Sequence, residues 1–144
     1  MSERWFPNSM PNPMVDHYSL PWWQAAAEHR LQVQCCDNCG HGILPPAPIC
    51  SECRSSQLTM KDVSGKGSLY TYTVVHQPVS MEQEMPFVIA IIELDTQGIS
   101  NNTVRMMSNI VGASVEPADI GRAVSVAWED MSEEVCVPRF QFDK

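Results

Sequence analysis

The stretch Cys36-Asp37-Asn38-Cys39-Gly40, followed by Cys50-Ser51-Glu52-Cys53, decides how this chain folds. Each half has the Cys-x-x-Cys spacing of a metal-binding knuckle, and ten residues separate the two halves. Four thiolates at this spacing complete a tetrahedron around one zinc ion. Because that tetrahedron leaves no open coordination position, the sequence predicts a structural rather than a catalytic Zn²⁺ site. The predicted ligands are Cys36, Cys39, Cys50 and Cys53.

Two disulfides in a secreted domain would use the same four cysteines. That alternative needs an oxidising compartment. Residues 1–15 lack the basic and apolar regions of a secretory leader. Furthermore, no stretch reaches the roughly 18 apolar residues of a membrane span. We therefore expect a cytoplasmic protein with no membrane partner, in which reduced thiols bind zinc.

Three residues near or outside the motif need separate interpretation. Cys35 has a Cys-x-x-x-Cys spacing to Cys39 and competes with Cys36 for the metal, although the symmetric knuckle favours Cys36. His41 is a rival ligand, but four cysteines already satisfy zinc. Cys136 lies in an apolar context and is predicted to be a small buried hydrophobe.

The composition restricts the partners of the chain. Its 144 residues include 17 acidic and 9 basic side chains, which give a formal net charge of −8. A charge of this sign repels phosphate backbones, so general nucleic-acid binding is not expected. Only 18% of residues are charged, whereas nine are methionine and four are tryptophan. These apolar side chains indicate either a methionine-rich core or an apolar surface for partners.

Residues 1–33 are predicted to be an extended arm followed by a helix. Three prolines before residue 15 exclude regular structure there, and Ser19 is a good N-cap for a helix. Helical spacing predicts one apolar face formed by Leu20, Trp23, Ala27 and Leu31, with Trp22, Ala26 and His29 beside it. This helix packs either on the β domain of the chain or in a groove that binds a partner or a ligand. For the second case we predict that Trp22, Trp23 and the arm contact another chain.

Residues 34–56 form the predicted zinc ribbon, and residues 57–144 the predicted β domain. The ribbon has too few apolar residues for a core, so metal binding supplies its folding free energy. Runs of β-branched and aromatic residues predict five strands downstream. Pro138 restricts the last of them to an edge or a strand end. The predicted strands are Ser68–His76, Phe87–Leu94, Asn102–Val111, Ala123–Trp128 and Val135–Phe140.

From Leu20 to Phe140 the order of motifs resembles that of OB-fold proteins with an N-terminal rubredoxin-like zinc ribbon, a domain long catalogued as of unknown function. The matching motifs are Leu31-x-x-Gln34-x-Cys36-x-x-Cys39-Gly40, Pro45-Pro46, Cys50-x-x-Cys53 and Gly65-x-Gly67-x-Leu69-Tyr70-Thr71-Tyr72-Thr73-Val74-Val75. Cys35 departs from the family pattern, which usually has a basic residue there. The resemblance implies a mainly β fold: a helix, the ribbon and a five-stranded OB-fold barrel.

The same resemblance implies a role in acyl-CoA chemistry. It suggests a non-catalytic scaffold in a hetero-oligomeric acyltransferase complex, whose thiolase-like or ketosynthase-like subunits carry the reactive cysteine. The chain is also similar to the small subunit of bacterial acetyltransferases that act on phloroglucinol derivatives in secondary metabolism. An alternative is a CoA-ester-binding accessory subunit of a hydratase or aldolase in fatty acid or sterol degradation.

Individual residues suggest two other functions. His76, at a predicted strand end, is the best lone candidate for a general acid or base, but no catalytic motif accompanies it. Tyr70 and Tyr72 are predicted to share one strand face, which would suit a single-strand nucleic-acid-binding OB module. Basic residues do not cluster near these tyrosines. No residue is therefore assigned a catalytic role.

Overall fold

Two β-sheets, one open and one closed, organise the chain. A computed structural model describes residues 5–77, 82 and 85–144, so the first four residues of the predicted arm lie outside the described residues. A three-stranded sheet has the order β2-β1-β3, and β4-β5-β6-β8-β7 form a closed barrel. This confirms the predicted fold class. The elements are α1 (Leu20–Ala27), β1 (Leu31–Cys36), β2 (Gly42–Ile43), β3 (Leu58–Val63), β4 (Lys66–Val75), β5 (Phe87–Leu94), β6 (Val104–Ile110), a 3-10 turn (Pro117–Asp119), β7 (Ala123–Asp130) and β8 (Cys136–Phe142).

Strand β5 shows most clearly why the barrel has one interior. Its residues alternate between half-buried and buried positions along the whole strand, as the two-residue period of a strand requires. Val88, Ala90 and Ile92 are on the buried side. Antiparallel pairing of β4 with β7, and a parallel pair between Ile110 and Phe140, close the barrel. Closure leaves none of its five strands as an edge.

The prediction that Tyr70 and Tyr72 share a strand face is wrong, because strand β4 has a β-bulge at Tyr70. Leu69 pairs with Ile92, but Thr71 pairs with Ile91, so Tyr70 is an extra residue in β4. Such a residue interrupts the alternation of side chains. Tyr72 consequently packs against the core, whereas Tyr70 is exposed. The predicted stacking platform for single-stranded nucleic acid does not form.

The last strand also differs from its prediction. Pro138 lies within β8, opposite Trp128 of β7, rather than at a strand end. Pro138 contacts β6 through a side chain of that strand. Ser108 Oγ donates a hydrogen bond of 2.7 Å to the Pro138 carbonyl. The serine hydroxyl is the donor in this contact, so the N–H that proline lacks is not needed there. Strand β8 is therefore internal to the barrel.

The helix is shorter than predicted and presents a different face. It ends at Ala27, and Leu31 begins β1 instead of extending the helix. His29 has a φ of 59°, a left-handed conformation that ends helices. Trp22 is buried and donates a hydrogen bond of 2.8 Å to the Gln32 carbonyl. The predicted face was therefore wrong, because the buried side chains are Trp22, Ala25 and Ala26.

Strand β1 joins the ribbon to the barrel through a shared core. Val33 and Cys35 of β1 are buried in one cluster with Leu69 and Phe140 of the barrel. Strand β3, which the sequence places in the β domain, pairs with β1 instead. Among the described residues, no helix has the length and apolarity needed to span a membrane.

The first described residues of the arm pack against the barrel. Phe6 is buried and meets the Phe87 ring edge-on, with 5.8 Å between ring centroids. The backbone N–H of Phe6 donates to Glu129 Oε2 at 3.0 Å, and the Trp5 N–H donates to the same oxygen. Arg139 lies over the Phe6 ring at 4.3 Å. At this end the arm is part of the folded domain.

Candidate metal centre and apolar groove

The structure brings the four knuckle cysteines together with a geometry that fits zinc. The four Sγ atoms lie within 4.8 Å of one another. Cys36 and Cys53 Sγ are 3.5 Å apart, and Cys39 and Cys50 Sγ are 3.6 Å apart. Zn–S bonds of about 2.3 Å give tetrahedral S–S edges of about 3.8 Å, close to these distances. Disulfides require about 2.05 Å, so the disulfide alternative does not fit, and the ribbon is a structural zinc site.

The two knuckles repeat one backbone arrangement. Gly40, after the second cysteine of the first knuckle, has a φ of 80° and donates its N–H to the Cys36 carbonyl at 2.9 Å. Arg54, at the equivalent position of the second knuckle, has a φ of 63° and donates to the Cys50 carbonyl, also at 2.9 Å. Each hydrogen bond closes the turn that directs two thiolates to one point. The first knuckle uses glycine for this conformation and the second does not.

Hydrogen bonds to sulfur offset the negative charge of the thiolates. Asn38 Nδ2 donates to Cys53 Sγ at 3.4 Å, and the Glu52 N–H donates to Cys50 Sγ at 3.4 Å. The Asn38 hydrogen bond is the main cause that lowers the pKa of Cys53 to about 6. This hydrogen bond favours the thiolate form of Cys53, which is the form that a metal ligand must have.

Two asparagines after β5 attach the zinc end to the barrel. Asn101 Nδ2 donates to the Cys39 carbonyl at 2.7 Å. Asn102 makes two hydrogen bonds with Gly42: it accepts from the N–H at 2.7 Å and donates to the carbonyl at 3.1 Å. Sequence reasoning missed this contact, since it placed Asn102 at the start of a strand. The adjacent asparagines, which favour turns over strands, were the available signal.

The other thiols and histidines do not join the zinc cluster. Cys35 and Cys36 are neighbours on a strand, so their side chains point to opposite faces, and Cys35 is buried in the core. His41 contributes its backbone carbonyl, which accepts from the Cys36 N–H at 2.9 Å. The prediction of a buried Cys136 is confirmed, with 1% exposure.

A groove of about 680 Å³ is lined by residues of the arm, α1, the ribbon connector and one side of the barrel. Trp22 and Trp23 both line it, although Trp22 is largely buried and Trp23 is only partly covered. Met107 of β6 also lines it and is 69% exposed. Most of the groove is apolar, and its further lining includes Met10, Pro11, Pro13, Leu44, Met106 and Arg139.

The described residues do not assemble a nucleophilic site. His76 is exposed just beyond the end of β4. The Cys136 thiol is unsuited to nucleophilic attack, since burial and the neighbouring Asp130 raise its pKa. The four knuckle thiols belong to the zinc cluster, and Cys35 is buried in the core. Within the residues that the structure describes, the arrangement therefore supports metal binding and apolar contacts.

Comparison with known domains agrees with this architecture. Residues 23–59 match the rubredoxin-like zinc ribbon domain of ChsH2, and residues 60–129 match the C-terminal OB-fold domain of ChsH2. A solved structure described as the Ltp2-ChsH2(DUF35) aldolase contains a chain with a TM-score of 0.77 and 31% identity. The match covers 90% of this chain and 98% of that one.

Two curated relatives extend the comparison. A DUF35 domain-containing scaffold protein of Methanocaldococcus jannaschii is 37% identical over 69% of this chain and 67% of the relative. A probable enoyl-CoA hydratase alpha subunit of Thermomonospora curvata is 33% identical over 91% of this chain. The chain spans only 39% of that longer relative. From the domain matches and these identities, the chain belongs to the DUF35 family, with a ChsH2-type zinc ribbon and OB-fold domain.

Proposed function

We propose that this chain is a non-catalytic scaffold subunit that binds and orders a thiolase-like enzyme of acyl-CoA metabolism. The observation that carries the proposal is the apolar groove, which lies on a domain without an assembled nucleophilic site among its described residues. The scaffold designation of the M. jannaschii relative supports the scaffold part of the proposal. The reactive cysteine would then belong to the partner.

The groove provides the surface for such a partner. Met107 and Trp23 offer large apolar side chains that water still reaches, and centrally placed aromatic residues often dominate binding energies at interfaces. Trp22 is already buried and hydrogen-bonded, so its part in the interface would be to support Trp23, whose ring meets it edge-on at 4.8 Å. The proposed contact is therefore made mainly by Trp23, Met107 and the proline arm.

A finer form of the proposal concerns the reaction. We propose acyl or acetyl transfer in the cytoplasm, with a thiolase-like or ketosynthase-like partner and a phenolic polyketide such as a phloroglucinol derivative as one acceptor. The second candidate is an accessory subunit of a CoA-ester hydratase or aldolase. The names of the T. curvata hydratase subunit and the Ltp2-ChsH2(DUF35) aldolase favour that second candidate.

Co-expression with the thiolase-like and hydratase-like proteins of the same genome tests the proposal. We expect a stable complex with a thiolase-like protein, acyl-transfer activity in that complex, and none in the isolated chain. Robust turnover by the isolated chain would overturn the scaffold role. A complex formed only with a hydratase would select the second candidate.

Variants of the groove test where the partner binds. Met107→Asp and Trp23→Ala should each weaken the complex at least tenfold, as loss of an interface anchor does. Ile120→Asp is the matched control, because Ile120 is 48% exposed and does not line the groove. Unchanged affinity in both groove variants would place the interface elsewhere.

A further inference from the structure

A second group of metal-ligating side chains lies outside the ribbon. His29, Asp130 and Cys136 place one imidazole nitrogen, one carboxylate oxygen and one sulfur within 4.8 Å of one another. His29 Nε2 is 2.9 Å from Asp130 Oδ1. Neither the zinc ribbon nor the proposed scaffold function uses these three side chains.

The fold fixes the positions of two of these side chains through strand register. Asp130 ends β7, Cys136 begins β8, and the two residues are paired across the antiparallel ladder. Side chains of such a pair lie on the same face, with Cβ atoms about 4.5–5.5 Å apart. A hydrogen bond of 2.8 Å from the Met131 N–H to the Val135 carbonyl closes the connection between the strands. The carboxylate and the thiol are therefore held together by the backbone.

His29 reaches the same point from the connection between α1 and β1. Its left-handed φ of 59° turns the chain after the helix. Its ring stacks on Trp128 of β7, with 5.5 Å between centroids and an interplanar angle of 5°. Stacking on a neighbouring strand position restricts the imidazole and holds Nε2 beside Asp130. Three separate parts of the chain thus converge on one point.

We propose that His29, Asp130 and Cys136 form a second metal site, for Zn²⁺ or a cation of similar preference such as Co²⁺. Imidazole, carboxylate and thiolate are all ligands that zinc accepts, whereas Ca²⁺ and Mg²⁺ require sets of oxygen ligands. Cys136 would become a thiolate as the ion binds and its thiol proton is released. Zn–N and Zn–O bonds of about 2.0–2.1 Å give a tetrahedral N–O edge of about 3.3 Å. The observed 2.9 Å needs only a small side-chain rotation.

Access and coordination number distinguish this site from the ribbon. His29 and Asp130 side chains are 46% and 39% exposed, so an ion enters from their side while buried Cys136 forms the floor. Three protein ligands leave a fourth position for water or a small ligand, which the four-cysteine site lacks. A bound ion would also connect the end of α1 to the β7–β8 hairpin.

Cobalt titration of the full-length chain loaded with a single equivalent of zinc, which fills the ribbon, tests the proposal. We expect one added equivalent of Co²⁺ to produce d–d absorption together with a sulfur-to-cobalt charge-transfer band. That band should have about one quarter of the intensity of a four-thiolate site, because one thiolate replaces four. A spectrum of four-thiolate type alone would mean exchange into the ribbon and would count against the second site.

Variants assign the signal to the three residues. His29→Gln changes an exposed side chain and should weaken Co²⁺ binding on the order of 100-fold, while leaving ribbon zinc in place. Cys136→Ser should remove the charge-transfer band. His17→Gln, also at an exposed histidine, and Cys35→Ser, also at a buried thiol, are the matched controls. Retention of the cobalt signal in His29→Gln, or no second equivalent in the wild-type chain, would overturn the proposal.

Discussion

At the scale of single residues, the two knuckles require the same left-handed backbone conformation from two different residue types. Gly40 and Arg54 both adopt left-handed φ values and both close a hydrogen bond to the first cysteine of their knuckle. For residues other than glycine, this conformation costs roughly 1–2 kcal/mol. Folding of the second knuckle therefore includes a conformational cost at Arg54, which glycine avoids in the first knuckle.

We predict opposite effects of exchanging these residue types. Gly40→Ala should lower the free energy of unfolding by roughly 1–2 kcal/mol and weaken zinc affinity, because alanine resists the left-handed conformation. Arg54→Gly should raise stability by about 0.5 kcal/mol, the relieved strain being partly offset by a more flexible unfolded chain. Urea unfolding of the zinc-loaded chain and competition with a chelator measure the two quantities.

Gly98 provides the control for Gly40. It has a φ of 82° and open space where the methyl group of an alanine would lie, but it is outside the ribbon. Gly98→Ala should cost similar stability and leave zinc affinity unchanged. Equal zinc affinities in Gly40→Ala and the wild-type chain would contradict a role of Gly40 in shaping the knuckle.

Cysteine spacing allowed the ribbon to be predicted because its four ligands are local in sequence. Contacts between residues far apart in the sequence could not be predicted from local spacing. The pairing of Asn101 with the Cys39 carbonyl joins residues 62 positions apart, and the adjacent asparagines indicate a turn but not its partner. The bulge at Tyr70 likewise depends on the register with β5, which the alternation within β4 does not reveal.

At the scale of elements, β1 explains both a failed prediction and the dependence of the ribbon on the barrel. Leu31 continues the helical spacing of α1, yet it begins a strand because β1 pairs with both β2 and β3. Tertiary pairing thus outweighed the local pattern. Leu31, Val33 and Cys35 then enter the common core.

We predict that loss of zinc unfolds the three-stranded sheet before the barrel. In the His29→Gln background, which disables the proposed second site, Cys39→Ser should reduce bound zinc from about one equivalent to none, since the ribbon relies on metal binding for its folding. Backbone amides of β1, β2 and β3 should then exchange with deuterium faster than those of β5. Metal analysis and hydrogen exchange detected by mass spectrometry provide the measurements.

Cys35→Ala controls for the loss of a thiol from the same strand. It should retain zinc, because Cys35 faces the core rather than the metal. Retention of a full equivalent of zinc by Cys39→Ser in the His29→Gln background would contradict the four-cysteine site. Equal loss of protection in β5 and β1 would show that the ribbon and the barrel unfold together.

At the scale of the whole molecule, a buried ion pair joins the arm to the barrel. Arg139 Nη2 donates to Glu129 Oε1 at 2.9 Å, and the Glu129 side chain has no solvent exposure. Arg139 Nη1 also donates to Asn109 Oδ1 at 2.8 Å. The second Glu129 oxygen accepts the amide hydrogens of Trp5 and Phe6.

Breaking this pair should destabilise the molecule and release the arm. Glu129→Ala should cost about 3–5 kcal/mol, because it leaves Arg139 largely buried and without its counter-ion. Urea unfolding measures this cost, and hydrogen exchange at the Phe6 amide reports release of the arm. Replacing both Glu129 and Arg139 should cost less than the sum of the single changes, as expected for coupled residues.

An exposed ion pair gives the matched comparison. Arg30 and Asp62 interact at 2.9 Å, but both side chains are at least 42% exposed. Arg30→Ala should therefore change stability little. Similar effects of Arg30→Ala and Glu129→Ala would show that burial does not determine the strength of the Glu129–Arg139 contact.

The two faces of β1 give the molecule a mechanical property. Cys36 is a zinc ligand, while the adjacent Cys35 is packed in the barrel core, so consecutive residues belong to two different structural units. Asn101 and Asn102 reinforce this junction from the barrel side. A junction held in both ways resists swivelling. Two proteins bound at the zinc end and at the barrel would therefore be kept at a constant spacing and angle.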